Sequence, residues 1–273
     1  MSYYEALGLK REPFSTSPDP TFFYPSSAHN VAIQRTEIAI RLRRGLSVIL
    51  GDVGIGKTTM SRALLQNFAN DDHYIFHIIL DPSYISEFQF LSSLMKMFGI
   101  QQNARTTLEC KEEIEKYLFK KGIDENKTVV LLIDEAQKLH TPFLEQLRTL
   151  LNYETNEYKL LQLVMVSQME LLPRIKRVKN FYDRIALKYI INPLDETETK
   201  ELIEFRLTEA GLEDTRKIFT DEAIKRVFEY TQGYPRRMTN VCHNALEALV
   251  MFEKSIVDED LITKIIERDN FHD

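Results

Sequence analysis

A lysine and a threonine that follow a glycine-rich segment have the clearest chemical meaning in this chain. The segment Gly51-Asp52-Val53-Gly54-Ile55-Gly56-Lys57-Thr58-Thr59 fits the pattern G-x-x-x-x-G-K-[ST]. In this pattern, backbone N–H groups surround phosphate oxygens, the lysine reaches the β- and γ-phosphates, and the hydroxyl of the next residue binds Mg²⁺. We therefore predict that the segment binds the phosphates of a nucleoside triphosphate, with Lys57 on the β- and γ-phosphates and Thr58 as a Mg²⁺ ligand.

The sequence on both sides of this segment supports the prediction. The apolar run 46–50 before it is typical of a buried strand, and a helical pattern from Met60 to Phe68 follows it. The glycines let the chain turn tightly, and the positive end of the helix dipole adds to the field that attracts phosphate. The alternative is a glycine-rich turn that binds nothing, and the strand–loop–helix context favours the phosphate site.

Two carboxylates end a second apolar run. Thr128 to Ile133 is continuously apolar after its first residue, which is typical of a strand covered on both faces, and Asp134 and Glu135 follow it. We expect Asp134 to hold Mg²⁺, mostly through water, and Glu135 to act as the general base on an attacking water molecule. The alternative is a solvated loop, but Lys57 and Thr58 upstream favour a hydrolytic site.

Strand and helix patterns alternate in the first two thirds of the chain. Beyond runs 46–50 and 128–133, strands are predicted at 73–80, 160–166 and 186–191, with helices near 28–43, 60–68, 86–98, 107–120 and 142–151. Alternation of this kind predicts an α/β fold, a parallel sheet with helices on both faces. After Pro193 only helices are predicted, at 196–210, 221–231, 236–252 and 258–270. The predicted domains are an arm packed on the core (1–25), a sheet domain (26–193) and a small all-helical lid (194–273).

Composition excludes several classes of protein. The formal net charge of −6 argues against a general polyanion-binding protein, and the distant cysteines Cys110 and Cys242 are expected to be reduced thiols. No apolar run has the length of a membrane span, and the first residues do not have the pattern of a signal peptide. These features predict a cytoplasmic location.

Several further motifs stand out along the chain: Tyr4-Glu5-Ala6-Leu7-Gly8-Leu9 with Pro13-Phe14-Ser15 and Pro18-Asp19-Pro20, residues 147–155, Pro193-Leu194 with Glu196-Thr197, and Gly233-Tyr234-Pro235-Arg236-Arg237. With the layout of a sheet domain followed by a helical lid, they resemble the AAA+ class of P-loop NTPases, and within it the ExeA or general secretion pathway protein A branch. The branch includes TniB- and TnsC-like transposition ATPases. The resemblance implies ATP and Mg²⁺ as ligands, assembly of the chain with itself, and a helical lid after the sheet domain. Members of the ExeA type continue into a membrane span and a peptidoglycan-binding part, whereas this sequence ends after the lid.

The resemblance also implies roles for three further side chains. Gln168, or less favourably Ser167, follows a predicted strand and would sense the γ-phosphate or position water; the alternative is a helix-capping role. Arg184 precedes the last predicted strand and would act as a finger in a neighbour's site, the alternative being a surface arginine paired with Asp183 or a nearby acidic residue. Arg236 would contact the γ-phosphate of its own chain from the lid, the alternative being a solvated arginine at a helix start.

Two functions follow from this reading. The first is an oligomeric ATPase that remodels or assembles a protein partner, which the sequence does not identify. The second is a switch in which ATP promotes a ring or filament on double-stranded DNA and so recruits a transposase. The basic residues that could contact DNA are Arg174, Lys176, Arg177 and Lys179. A solvated helix face or a subunit contact is the favoured alternative for them.

Overall fold

A computed structural model of the chain describes residues 2–15, 19–213 and 217–270. The chain forms two compact units. One comprises Met1–Ala28, Gly54–Thr59 and Asn192–Asp273, and the other comprises His29–Val53 and Met60–Ile191. We call them the helical unit and the sheet unit. This division into two units does not test the predicted domain limits 1–25, 26–193 and 194–273, which remain predictions.

The secondary structure alternates as the sequence predicts. The strands are β1 (Leu46–Gly51), β2 (Tyr74–Ile79), β3 (Thr128–Ile133), β4 (Leu161–Ser167) and β5 (Ile185–Ile191). The α-helices are α1 (Tyr3–Ala6), α2 (Ser27–Arg41), α3 (Lys57–Gln66), α4 (Glu87–Met97), α5 (Thr107–Phe119), α6 (Thr141–Leu150), α7 (Leu171–Arg177), α8 (Glu196–Glu209), α9 (Asp221–Thr231), α10 (Pro235–Met251) and α11 (Glu259–Asn270). None of the helices in the described ranges combines the length and the apolar character that crossing a membrane needs.

The sheet unit is built on one five-stranded sheet in the order β2-β3-β4-β1-β5. Every strand pair is parallel, so the predicted sheet type is confirmed. Leu50 lies opposite Ser167, and Ile133 lies opposite Met165. The carboxyl ends of β1, β3 and β4 therefore meet at one edge of the sheet, the edge at which parallel α/β sheets bind ligands.

Burial explains why the central strands are so apolar. All residues of β1, β3 and β4 are buried, whereas β2 and β5 form the edges and are partly exposed. Alternate residues of β3 and β4, such as Leu131 and Leu163, join a core that includes Phe90 of α4, Ile114 of α5 and Leu147 of α6. Strands that are buried on both faces have nearly continuous apolar sequences, which is the pattern of β1, β3 and β4.

The helical unit has its own hydrophobic core. Helices α8 to α11 contribute residues such as Leu202, Val227, Leu246 and Ile262, and apolar residues of the N-terminal segment complete the core: Leu7, Leu9, Phe14 and Phe22. The N-terminal segment is thus packed among the C-terminal helices of this unit. Helix α9 begins at Asp221 because Thr220 caps it: the Thr220 side chain accepts a hydrogen bond from the Ala223 N–H.

Candidate functional site

The predicted phosphate-binding segment connects the end of β1 to the start of α3. Gly54 and Gly56 have φ angles of 78° and 95°, in the left-handed region that glycine adopts without strain. Ile55 between them is 1% exposed, which anchors the turn. Lys57 is the first residue of α3 and is 7% exposed, and Thr58 follows it in the same helical turn. The conformation is that of a loop delivering a lysine to a helix N-terminus, where the dipole favours an anion.

Arg236 of α10 contacts this loop within the helical unit. The Arg236 backbone N–H donates to the Gly54 carbonyl oxygen, with a distance of 3.1 Å between nitrogen and oxygen. A Cβ atom on Gly54 would lie 2.8 Å from the Arg236 Cβ, so the close approach requires glycine at position 54. Pro235 occupies the first turn of α10, one residue before the predicted helix start at 236, and the Arg236 side chain is exposed. The backbone at the start of α10 is therefore fixed to the phosphate loop.

Asp134 and Glu135 follow β3 at the carboxyl edge of the sheet. Asp134 is 2% exposed, and its Oδ1 accepts the Glu135 backbone N–H at 2.8 Å. Glu135 has φ 51° and ψ 33°, a left-handed conformation that is uncommon for a residue with a long side chain. Such strain persists where the surroundings enforce it, and it is concentrated at functional sites. The turn leaves the Glu135 side chain half-buried next to a buried carboxylate.

A glutamine that the sequence reading missed connects Glu135 to the end of β4. The Gln137 Nε2 donates to Glu135 Oε2 at 2.6 Å, while the Gln137 Oε1 accepts from the Gln168 backbone N–H at 3.1 Å and from the Ser167 hydroxyl at 3.0 Å. Ser167 is fully buried, whereas Gln168 is half-buried. This arrangement supports Gln168 over Ser167 as the sensor, because the Ser167 hydroxyl is committed to protein oxygens.

Arg174 of the basic segment lies against the same turn. Its NH1 donates to the carbonyl oxygens of Gln137 and Leu139, at 2.5 and 2.8 Å. The side chain is half-buried. Of the basic residues considered as DNA contacts, Arg174 therefore has a structural partner in its own chain, whereas Lys176, Arg177 and Lys179 are exposed.

Arg184 lies at the amino ends of the strands, on the opposite side of the sheet from Asp134 and Glu135. It ends the short 3₁₀ turn Tyr182–Arg184, directly before β5, and its NH1 lies 3.5 Å from the Arg148 carbonyl oxygen. Ile185 pairs with Leu46 at the amino end of β1. The length of β5, about 20 Å at ~3.3 Å per residue, separates Arg184 from the edge that carries Asp134 and Glu135.

Comparison with known proteins places this fold in a family. A family model described as an AAA domain matches residues 40–175. General secretion pathway protein A of Aeromonas hydrophila is 33% identical over 248 residues, a stretch that is 90% of this chain and 44% of that protein. The chain belongs to the AAA+ ATPases. The expected resemblance to the general secretion pathway protein A branch is confirmed; the chain spans less than half of the length of that relative.

Solved AAA+ structures have the same fold. The Aeropyrum pernix ORC2 protein, solved as ADPNP-ADP complexes, is 17% identical, with a TM-score of 0.66 over 94% of this chain and 71% of that chain. A Drosophila ORC structure bound to DNA is 18% identical, with a TM-score of 0.64 over 94% of this chain and 65% of that chain. At these identities the likeness concerns the fold, and it confirms the predicted P-loop AAA+ fold class.

The residues of this AAA+ chain fit ATP and Mg²⁺ chemically. The positive φ angles of Gly54 and Gly56, 78° and 95°, give the tight turn before a helix N-terminus that a phosphate-binding loop requires. The two predicted Mg²⁺ ligands, the Asp134 carboxylate and the Thr58 hydroxyl, are each of the hard oxygen type that Mg²⁺ prefers. Among the described residues, no group of three or more His, Cys, Asp or Glu side chains could hold a metal ion.

Proposed function

We propose that this AAA+ chain binds ATP with Mg²⁺ and hydrolyses it as part of an oligomeric assembly or remodelling ATPase. One observation carries the proposal: β3 ends in a buried aspartate and a glutamate at the same sheet edge where β1 ends and the phosphate loop begins. In α/β sheets this edge is where ligands bind. A nucleotide-binding protein without turnover does not need a glutamate held there in a strained turn.

In the proposed reaction, the residues of the loop bind and orient the triphosphate. These residues are Gly51, Asp52, Val53, Gly54, Ile55, Gly56, Lys57, Thr58 and Thr59. The Lys57 ammonium neutralises charge on the β- and γ-phosphates, and Arg236 contacts the γ-phosphate. Thr58 and Asp134 would hold Mg²⁺, which when bound neutralises the phosphate oxygens.

Glu135 accepts a proton from water as the water oxygen forms a bond to the γ-phosphorus. The bond from that phosphorus to the oxygen bridging it to the β-phosphate breaks, and its electron pair leaves with ADP. Gln168 positions the water or senses the γ-phosphate. The products are ADP and inorganic phosphate.

The position of Arg184 supports assembly as a condition for turnover. It lies at the amino end of β5, an entire strand length from Glu135 in its own sheet. In the proposal it therefore serves a neighbouring chain, where its guanidinium neutralises charge on the transferring phosphoryl group. A ring or filament of copies would bring Arg184 of one copy to the nucleotide of the next. The proposal also keeps the predicted domains, which are an arm at 1–25, a sheet domain at 26–193 and a lid at 194–273.

The test is ATP turnover and ATP affinity in Glu135→Gln, with Glu157→Gln as control. Glu157 is an exposed carboxylate in the same unit, so its substitution changes the net charge equally. We expect Glu135→Gln to keep ATP affinity and self-assembly while turnover falls by about 10² or more, the usual contribution of a general base. Wild-type turnover in Glu135→Gln would refute the assignment of the base.

A second function, an ATP-dependent switch on DNA, is favoured by one group of side chains in the sheet unit. The Lys176 and Lys188 ammonium groups lie 5.5 and 5.8 Å from the ring centroid of Tyr182, and Arg177 and Lys179 are exposed close by in sequence. Cations grouped around an aromatic ring suit a nucleic-acid backbone. A Drosophila ORC structure similar in fold is bound to DNA.

Turnover and particle size with and without double-stranded DNA, over a salt series, separate the two functions. DNA-stimulated turnover that weakens with salt, and that is lost in Lys176→Ala/Lys188→Ala, would favour the switch. ATP-dependent self-assembly without any DNA effect would favour the remodelling ATPase.

A further inference from the structure

Gln137 forms the only side-chain connection that the structure gives, within the described residues, between Glu135 and the end of β4. Its amide spans from the Glu135 carboxylate to the Gln168 backbone N–H and the Ser167 hydroxyl. Strands β3 and β4 are neighbours, so the amide joins the turns that follow two adjacent strands. These are the turns on which the proposed base and the proposed sensor lie.

The orientation of this amide is determined by its partners. A backbone N–H can only donate, so the atom that faces the Gln168 N–H must be the Gln137 oxygen. The Gln137 nitrogen must then face Glu135, whose ionised carboxylate can only accept. Both ends are therefore satisfied in one orientation, and flipping the amide would set donor against donor and acceptor against acceptor.

Hydrogen bonds also hold the backbone of the turn that carries Gln137. Arg174 donates to the carbonyl oxygens of Gln137 and Leu139, and a charged donor makes a stronger hydrogen bond than a neutral one. Glu135 itself is in a left-handed turn that its surroundings must enforce. Arg174 and Gln137 thus fix the backbone and the side chain of the same turn.

From this geometry we infer that Gln137 is a positioning residue, which orients the Glu135 carboxylate and couples it to the position of Gln168. The inference rests on the proposed function, because it assigns Gln137 a role in the turnover for which Glu135 is the base. Movement of the β4 turn, where the γ-phosphate would be sensed, is transmitted through one amide to the carboxylate that activates water. Gln137 itself touches neither nucleotide nor water in this role.

The first test compares two substitutions that affect different ends of the amide. Gln137→Glu keeps an acceptor towards Ser167 and Gln168 but sets a carboxylate against Glu135, whereas Gln137→Ala removes both ends. Since hydrogen bonds to charged groups are among the stronger ones, we expect turnover number to fall about tenfold or more in both variants. ATP affinity should change by less than about twofold, because the phosphate loop is untouched.

Gln146→Ala is the matched control. Gln146 also donates its amide to a carboxylate, that of Glu87, in the same unit, and it is 8% exposed. Its loss should lower thermal stability without lowering turnover number. A Gln137→Glu turnover number within about twofold of wild type, with Glu135→Gln inactive, would overturn the inference and leave the proposed function standing. Wild-type turnover in Glu135→Gln would overturn both.

A second test does not depend on turnover. In protein labelled with ¹⁵N at glutamine side chains, the amide signal lost in Gln137→Ala identifies the Gln137 NH₂ group. Its hydrogen exchange should be slow in the wild type and should accelerate in Glu135→Ala, which removes the acceptor. Exchange that is equally fast in both proteins would show that Gln137 does not hold Glu135, and would overturn the inference.

Discussion

Substituting Gly54 by alanine tests how closely the phosphate loop is fitted to the start of α10. Gly54 has φ 78°, and its Cβ would lie 2.8 Å from the Arg236 Cβ. A left-handed backbone costs an alanine about 1–2 kcal/mol, and overpacking against a fixed neighbour costs about 1–3 kcal/mol. We therefore expect Gly54→Ala to lower the free energy of unfolding by about 2–5 kcal/mol and to weaken ATP binding.

Gly99→Ala isolates the backbone part of this cost. Gly99 has φ 73°, and nothing lies within 4 Å of the position that its Cβ would take. Its substitution should cost about 1–2 kcal/mol. Urea unfolding followed by circular dichroism gives both values, since the chain has no tryptophan for fluorescence.

Two changes at Arg236 identify the colliding atom. Arg236→Gly removes the Cβ and should recover about 1–3 kcal/mol of the Gly54→Ala cost in a double-mutant cycle. Arg236→Ala keeps the Cβ and should recover nothing. Equal costs for Gly54→Ala and Gly99→Ala, or equal recovery with the two Arg236 variants, would refute the reasoning.

Three further predictions concern single residues. Lys57→Ala should abolish ATP binding in equilibrium titrations with a fluorescent analogue, and unchanged affinity would contradict the phosphate-loop assignment. Arg184→Ala should lose turnover but keep ATP affinity, and mixing it with Glu135→Gln should restore part of the turnover; a loss of binding would instead indicate a structural role. Burial lowers the pKa of His77, packed on Phe98, from 6.5 to about 4, so the unfolded chain takes up the proton first and stability should fall as pH drops from about 6.5 towards 4. His77→Phe should flatten that part of a curve of unfolding midpoint against pH, and an unchanged curve would count against the assignment.

The local structure was largely predictable because its signals are local. Helix α9 spans the predicted residues 221–231, since Thr220 caps its start and Gln232 ends it in a left-handed conformation. Every strand was predicted to within one or two residues from its apolar run. The short helix α1 and the π-helical continuation of α5 at Lys120–Asp124 were not predicted, because neither has a distinct periodicity.

Tertiary features of the site were less accessible to the sequence. Nothing in the order of the strands along the chain indicates that β1 lies between β4 and β5, since pairing across a sheet depends on packing. The role of Gln137 depends on the left-handed turn at Glu135, which brings a residue two positions later to the end of β4. The signal that could have found it is an amide placed just after two carboxylates at a strand end. In the sequence Arg174 is one of a run of basic residues, and nothing there indicates that its side chain bonds the turn at Gln137.

The positions of charge in the sheet unit explain why a single chain would be a poor catalyst under the proposed function. Asp134 and Glu135 put two carboxylates at the carboxyl edge, where a triphosphate would add further negative charge. Arg184, in contrast, is a strand length away at the amino edge. Arg184 is joined directly to β5, which is paired with β1 along its length, so no motion that keeps this pairing brings Arg184 to that charge. In the proposal a second copy brings its own Arg184 to that charge, and turnover per chain should therefore rise with protein concentration until assembly is complete.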